Sequence, residues 1–293
     1  MKTTINLILL TAISTKAQNS HNGTLSQTEM DSMLRLSCQQ DAECLTFLDE
    51  LQALEQGGLT RTLSVESMDR WNYLRRLKNL KLLVLHLQPE HRFLRYCHYG
   101  CYCLTDPLYT LTPPPNHGKP RDPIDAACKV QHDCYECAKM DHPSRSCTAD
   151  RVQYSYVLTR DETDVNNHWK KSIECQDDPM SKKRPGKISS KWSCRRSMCE
   201  CDKRLAEQLR ENFDQWSDEY STALGDFDTN ECVVEEGKGN GGVQGEPECC
   251  GDQFGGNRFP FNNRGGNRGC CGSRTYDTQM FACCNDQTVL GSC

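Results

Sequence analysis

The sequence predicts a mainly α, disulfide-rich fold that ends in an irregular tail rich in cysteine and glycine. The 293 residues include 21 cysteines, a density typical of secreted chains in which disulfides supplement a modest hydrophobic core. Leucines recur at helical spacing in several long segments, which indicates amphipathic helices. After Cys232 this periodicity stops, and residues 237–272 contain twelve glycines. We therefore expect a cross-linked helical domain followed by a different C-terminal region.

The first 17 residues have the features of a secretory signal peptide. Lys2 precedes an apolar run over 5–13, and Ala17 is a small residue at a suitable cleavage point. A buried N-terminal helix is the alternative. No other segment approaches the ~20 apolar residues of a membrane-spanning helix, so we expect a secreted, extracellular protein. Asn22 begins an acceptor motif for N-glycosylation.

Residues 18–64 are predicted to form an N-terminal helical extension or a propeptide. Ser26 and Glu29 have the spacing of a capping box at the start of a helical segment. Gly57-Gly58 ends that segment. A second helix is predicted over 64–88 from a broad apolar stripe, which we interpret as core packing, with the lining of a lipid channel as the alternative.

The main domain is predicted to span 65–236. A proline-rich loop over 107–123 leads into a helix over 125–140, and a long helical stretch follows at 194–216. Fourteen cysteines lie between Cys38 and Cys232, an even number that can close on itself, whereas the tail holds seven. One tail cysteine is therefore left for a cross-domain bond or for a partner molecule.

The stretch 125–135 reads D-A-A-C-K-V-Q-H-D-C-Y and carries the candidate chemistry. A histidine on a helix, a second-helix aspartate that fixes its tautomer and a nearby metal carboxylate together make a general-base hydrolase site. His132 is the candidate base and Asp202 the candidate orienting residue. Asp133 is the candidate Ca²⁺ carboxylate.

These residues and the cysteines around them resemble the secreted phospholipase A2 family over about 65–232. The matching motifs are Y-G-C-Y-C at 99–103, H-D-C-Y at 132–135 and C-x4-C-x-C-D at 194–202. The resemblance implies two long antiparallel cross-linked helices, an N-terminal helix, a calcium loop and a small β-wing. It also implies hydrolysis of the sn-2 ester of a phospholipid by a His-activated water, with Ca²⁺ stabilising the oxyanion.

The central helix departs from the family pattern D-x-C-C-x-x-H-D-x-C-Y. Aligned without gaps, Gln131 occupies the place of the catalytic histidine and His132 that of the calcium aspartate. An alternative register slides His132 and Asp133 into the catalytic places, at the cost of an insertion and a deletion. A shift of one residue turns a helical side chain by about 100°, so the two registers point different side chains at Asp202.

The cysteine pattern favours the ungapped register. In that register the family's first helix cysteine becomes Ala127 and its partner position becomes Gln208, so both halves of one bridge are missing together. Cys128 keeps its family partner, Cys103. The gapped register would leave both of these cysteines without a partner.

The expected calcium loop departs as well. The family's loop is rich in glycine, whereas Cys103 is followed here by Leu104, Thr105, Asp106 and Pro107, which cannot freely adopt the backbone angles of glycine. The candidate metal positions are Tyr102, Leu104 and Asp133. Because base, carboxylate and loop all depart, we expect Ca²⁺ binding to be weak or lost.

The resemblance also implies a structural network and a set of bridges. The network consists of Tyr135, Tyr154 and Asp202, which can hold two helices together with or without catalysis. The implied bridges are Cys103–Cys128, Cys134–Cys201, Cys147–Cys194, Cys175–Cys199 and Cys101–Cys232. The cysteines without a family counterpart are expected to pair among themselves: Cys38, Cys44, Cys97 and Cys137.

The tail over 237–293 contains the pairs Cys249-Cys250, Cys270-Cys271 and Cys283-Cys284, then Cys293. It is similar to the repeat of galaxin-like extracellular matrix proteins, with a generic cysteine-rich module as the alternative. The segment between Lys182 and Arg196 is basic and could meet anionic phospholipid or sulfated glycan. The net charge of −5 argues against a general nucleic-acid binder.

These observations support three hypotheses. The leading one is a phospholipase A2-like protein without catalytic apparatus that acts as a scaffold in an extracellular matrix, including calcified matrix, as in otoconin-like proteins. Its partners would be matrix components or mineral. The odd tail cysteine could form an intermolecular disulfide. The second is an active Ca²⁺-dependent phospholipase A2 that uses His132, Asp133 and Asp202. The third is a binding module that engages membranes or glycans without hydrolysis.

Overall fold

The computed structural model describes residues 23–37, 48–49, 52, 65–88, 93–104, 114–143, 147–162, 169–176, 190–233 and 247–293. The signal segment, the Asn22 acceptor, Cys38, Cys44 and most of the basic segment after Lys182 lie outside these residues. None of the helices described has the length and apolar character needed to cross a membrane.

Four α-helices form the main body of the described chain. They are α1 (Gln27–Ser37), α2 (Val65–Leu87), α3 (Pro123–Asp141) and α4 (Ser190–Glu211). Helix α3 begins at Asp122, whose side chain accepts the backbone N–H of Asp125 at 2.8 Å, and Pro123 suits the first turn because it lacks an N–H. The core is closed by fully buried side chains that include Leu83, Ile124 and Leu205.

Helices α3 and α4 run antiparallel and carry the residues singled out by the sequence. Gln131 of α3 meets Asp202, Cys134 meets Cys201, and Ala138 lies in one cluster with Met198. Later residues of α3 therefore contact earlier residues of α4, as expected for antiparallel helices.

The N-terminal extension is part of this packing. The capping box forms, with Glu29 accepting the backbone N–H of Ser26 at 2.8 Å. Strand β1 (Gly23–Thr24) pairs antiparallel with β2 (Tyr156–Glu162), which pairs in turn with β3 (Trp169–Cys175). On α1, Leu34 is buried against leucines of α2. The apolar stripe of α2 is thus covered by neighbouring elements of the core, as the core-packing interpretation expects.

The described part of the tail, 247–293, is regular, which corrects the expectation of an irregular region there. It forms three antiparallel hairpins from strands β4 (Pro247–Cys250), β5 (Phe259–Asn262), β6 (Arg268–Cys271), β7 (Arg274–Asp277), β8 (Phe281–Cys284) and β9 (Gln287–Leu290). Strands of four residues rich in cysteine and glycine show too little alternation to be recognised by period. The last turn has Asn285 and Asp286 at φ of 51° and 60°, as a tight hairpin turn requires.

The disulfides join the helical body along the lines that the resemblance implies. The structure forms Cys101–Cys232, Cys103–Cys128, Cys134–Cys201, Cys147–Cys194 and Cys175–Cys199. Cys137 does not pair with Cys38, Cys44 or Cys97, because it is bonded to Cys249 of the tail. This bond closes 112 residues of sequence, which explains why local spacing could not reveal it.

The other tail cysteines connect neighbouring hairpins in series. The bridges are Cys250–Cys270, Cys271–Cys283 and Cys284–Cys293. In each adjacent pair one cysteine therefore bonds backward and the other forward along the chain. All seven tail cysteines pair within the chain, and the odd one forms the cross-domain bond Cys137–Cys249, the alternative to a bond with a partner molecule.

The first hairpin also docks on the helices through residues 251–258, which connect its two strands. Arg258 forms an ion pair with Asp141 at 2.8 Å, and Arg204 donates to the Asn257 side chain at 2.8 Å. Both ion-pair partners are more than four-fifths buried. The tail is thus attached to α3 and α4 by packing as well as by a covalent bond.

Candidate functional site

Asp202 is the centre of a buried hydrogen-bond network between α3 and α4. Its carboxylate accepts the Gln131 amide N–H at 2.6 Å and the Tyr154 hydroxyl at 2.5 Å, and the Tyr135 hydroxyl also donates to it. The Gln131 amide lies 2.9 Å from the Tyr135 hydroxyl as well. The residue is 1% exposed, so each of these donors compensates for water that the carboxylate has lost.

A cation completes the network. The guanidinium carbon of Arg76, on α2, lies 4.8 Å from the centroid of the Tyr135 ring. Burial raises the pKa of Asp202, and the positive charge of Arg76 and the three donors oppose that rise. Burial also raises the pKa of Tyr135 and Tyr154 well above the usual value for a phenol. Both hydroxyls therefore stay protonated and donate hydrogen bonds to Asp202.

This arrangement can hold helices together, but it contains no general base beside Asp202. An amide does not accept a proton near neutral pH, and the two buried phenols are donors. Gln131 stands where a base would have to stand, and its Nε2 is committed to Asp202. This is the geometry of the ungapped register.

His132, on the same helix turn, is half-buried and makes no hydrogen bond to Asp202, and its Nδ1 is buried without a hydrogen-bond partner among the described residues. Its side chain is 36% exposed, and its Nδ1 lies 3.7 Å from a carboxylate oxygen of Asp133, which is beyond hydrogen-bond length. Its ring meets that of Tyr102 edge-on, with centroids 6.0 Å apart. The structure therefore brings Gln131, Tyr135 and Tyr154 to Asp202 and leaves His132 outside this group.

Two of the three candidate calcium positions, Leu104 and Asp133, are engaged by contacts within the chain, and residues 105–113 of the expected loop lie outside the described residues. The Leu104 carbonyl accepts the His98 backbone N–H at 2.6 Å, and the Asp133 carboxylate is paired with the Lys129 ammonium. The place next to Gln131 holds the imidazole of His132, whereas Ca²⁺ prefers oxygen ligands. Within the described ranges, no three His, Cys, Asp or Glu side chains converge as metal ligands. Among the described residues, Leu104 and Asp133 are paired within the chain and His132 offers nitrogen, so these three do not fit a Ca²⁺ site of the implied kind.

Asp125 and Arg76 are structural site residues that sequence reasoning missed. The Asp125 carboxylate accepts three backbone N–H groups, from Cys101 at 2.9 Å, Tyr102 at 2.8 Å and Arg121 at 3.0 Å. Gly100, with φ of 60°, leaves room for it, because a Cβ there would lie 2.2 Å from the carboxyl carbon. The aspartate that opens the central helix was the available signal for this loop anchor.

Comparison with known proteins identifies relatives over about half of the chain. The chain is 26% identical over 141 residues to the group IID secretory phospholipase A2 of Mus musculus, covering 48% of this chain and 74% of that protein. It is 30% identical over 146 residues to the acidic phospholipase A2 S1E6-b of Calloselasma rhodostoma, covering 49% and 85%. It is also 30% identical over 145 residues to phospholipase A2 homolog 1 of Bothrops atrox, covering 49% and 77%. No family model matches the chain.

Proposed function

Since this chain belongs to the phospholipase A2 family, we propose that it is a secreted, non-catalytic member whose helical core serves as an extracellular scaffold for the hairpin tail. The observation that carries this proposal is the 2.6 Å hydrogen bond from Gln131 to Asp202. In this bond the side chain beside Asp202 is an amide with a structural role. Hydrolysis by a histidine-activated water needs a proton acceptor at that position.

The charge balance of the site supports the same proposal. Arg76, on α2, offsets the negative charge of the buried Asp202 carboxylate. The charge of the network is therefore balanced without a metal or a substrate. Lys129 likewise neutralises half-buried Asp133, outside this network. A scaffold needs such fixed, satisfied networks, whereas a catalytic site needs a group that is poised to exchange a proton.

We place this scaffold in the extracellular matrix, including calcified matrix, as in galaxin-like and otoconin-like proteins. The support comes from the tail, in which disulfides link the hairpins in series. The Cys137–Cys249 disulfide attaches the tail covalently to the helical core. Disulfide-rich construction of this kind suits a protein that must persist in an oxidising environment.

The catalytic part of the proposal is tested by fatty-acid release. The full-length secreted protein is incubated with phospholipid–detergent mixed micelles at millimolar Ca²⁺, beside a secretory phospholipase A2 as positive control. We expect release at the background rate, unchanged in His132→Gln. Ca²⁺-dependent release that His132→Gln abolishes would overturn the proposal and establish the second hypothesis.

The scaffold role is tested by fractionation of the tissue that secretes the protein. We expect the protein in the demineralised, detergent-extracted matrix rather than in the soluble fluid. A soluble protein that binds heparin or anionic vesicles, and loses that binding on neutralisation of Lys182, Lys183 and Arg184, would contradict the scaffold and favour a binding module.

A further inference from the structure

We propose that the β8–β9 hairpin is a self-association surface, at which strand β9 of one molecule pairs with strand β9 of a second copy. The contact is noncovalent and two-fold symmetric, and it extends the two-stranded sheet into a four-stranded sheet across the two molecules. This inference concerns the tail alone and goes beyond the proposed function, since it holds whether or not the helical core hydrolyses lipid.

The hairpin carries two of the most exposed large apolar side chains in the described structure. Leu290 is 77% exposed and Met280 is 57% exposed. Their backbones lie at the same end of the hairpin, where the backbone N–H of Gly291 donates to the Met280 carbonyl at 3.1 Å. Phe281, directly opposite Leu290 across the ladder, lies on the same face of the hairpin as Leu290. Clustered apolar exposure at one tip marks a contact surface more strongly than scattered single residues do.

Strand β9 is an edge strand without the usual protection. Its sequence is Gln287-Thr288-Val289-Leu290, with neither a charge nor a proline. The edges of the other two hairpins differ, because β5 contains Pro260 and β7 carries Arg274 and Asp277. Charges and prolines on edge strands prevent pairing with another chain. The outward N–H and C=O groups of β9 are therefore open to pairing with another strand.

The array itself shows how its hairpins are covered. Phe261 of the first hairpin and Cys271 of the second are 6% and 4% exposed, whereas every residue of 281–293 is half-buried or exposed. A second β8–β9 hairpin would cover this outer member of the array much as the hairpins cover one another. Strand addition of this kind supplies backbone hydrogen bonds together with side-chain contact.

The charge of the tail favours a second copy as the occupant. Residues 247–293 contain four arginines and four acidic residues, so two tails meet without net repulsion. A charged partner would gain no electrostatic advantage at β9 itself. The contact is small, and stable complexes bury about 1,200–2,000 Å² in total, so we expect weak association that depends on protein concentration.

Sedimentation velocity of the full-length secreted protein, without lipid or Ca²⁺, tests this proposal. We expect a monomer–dimer equilibrium, with the dissociation constant raised at least about tenfold by Leu290→Asp, as expected for about 1.4 kcal/mol of lost contact. The matched control is Leu224→Asp, at another leucine that is 65% exposed. Val289→Lys supplies a second variant that places a charge on the edge without removing the leucine.

A wild-type protein that stays monomeric up to several hundred micromolar would overturn the proposal. So would equal weakening by Leu290→Asp and Leu224→Asp, since the dimer would then lie elsewhere. Disulfide mapping of each variant checks that the hairpin bridges are intact. These outcomes are independent of fatty-acid release, so the self-association and the proposed function can fail separately.

Discussion

The inner and outer faces of helix α3 differ in what their residues do. On the inner face, Cys128 and Cys134 are cross-linked and Gln131 is bonded to Asp202. On the outer face, His132 and Asp133 are half-buried beside Lys129, outside the Asp202 network. Neighbouring residues of one helix thus belong to two different environments, and the cysteines determine which residue faces inward.

This difference shows how a helix can keep its packing although its histidine does not face Asp202. The two bridges fix the rotation of α3 about its axis, since neither could form if the helix were turned by the roughly 100° that separates adjacent residues. Because the rotation is fixed, the side chain at position 131 must donate a hydrogen bond to the buried Asp202 carboxylate. An amide does so with a hydrogen bond and without a proton-transfer role.

The largest expected effect is at Asp202. In Asp202→Ala, Gln131 and two buried tyrosine hydroxyls lose their acceptor, and half-buried Arg76 loses a nearby negative charge, which predicts a loss of about 3–5 kcal/mol in unfolding free energy. Urea unfolding measures it, with Asp133→Ala as the control carboxylate on the outer face. A loss below about 1 kcal/mol for Asp202→Ala would mean that the inner network is not a structural centre.

A buried histidine elsewhere in the core shows what an inward-facing imidazole does. Burial, reinforced by the charge of Lys171, lowers the pKa of His86 to about 4, and its Nε2 lies 3.0 Å and 3.2 Å from the Thr159 and Ser172 carbonyls. The unfolded chain binds a proton near pH 6.5, whereas the folded protein does not. Stability conferred by the neutral ring is therefore lost as the pH falls from about 6.5 toward 4, by up to about 1.4 kcal/mol per pH unit.

Unfolding at a series of pH values measures this slope. The variant His86→Gln should flatten it between pH 6.5 and 4, and the exposed His117→Gln should leave it unchanged. An identical slope in wild type and His86→Gln would show that this histidine is not the source of the acid sensitivity.

A smaller loss is expected at Gln131. Gln131→Ala removes one donor to the buried Asp202 carboxylate, which predicts destabilisation of about 2 kcal/mol. Gln131→Glu should cost more, because it brings a second carboxylate against the first. Thermal or urea unfolding distinguishes the two; a Glu variant as stable as wild type would contradict the placement of this side chain against Asp202.

The smallest effect is expected at His132. Because its side chain is partly exposed and makes no hydrogen bond of normal length to Asp133, His132→Gln should change the unfolding free energy by less than about 0.5 kcal/mol. Differential scanning calorimetry of the variant beside Gln131→Ala provides the comparison. Destabilisation equal to that of Gln131→Ala would place the imidazole on the inner face.

Much of this organisation could be anticipated from cysteine spacing. The length of 125–135 and the pairing of Cys103 with Cys128 already favour Gln131 over His132 as the residue facing Asp202. Arg76 was not anticipated, because one arginine on an amphipathic helix reads as solvated surface until its neighbours are known. The Cys137–Cys249 bond was also missed, since it joins residues 112 apart in sequence. The regular hairpins were missed because their strands of four residues show too little alternation.

A double-mutant cycle tests the central claim most directly. Unfolding free energies are measured for Gln131→Ala, His132→Ala and Asp202→Asn, and for each of the first two combined with the third. The structure predicts a coupling energy of about 1 kcal/mol or more between Gln131 and Asp202 and about zero between His132 and Asp202. Coupling of His132 with Asp202, and none for Gln131, would contradict the account and return the histidine to the site.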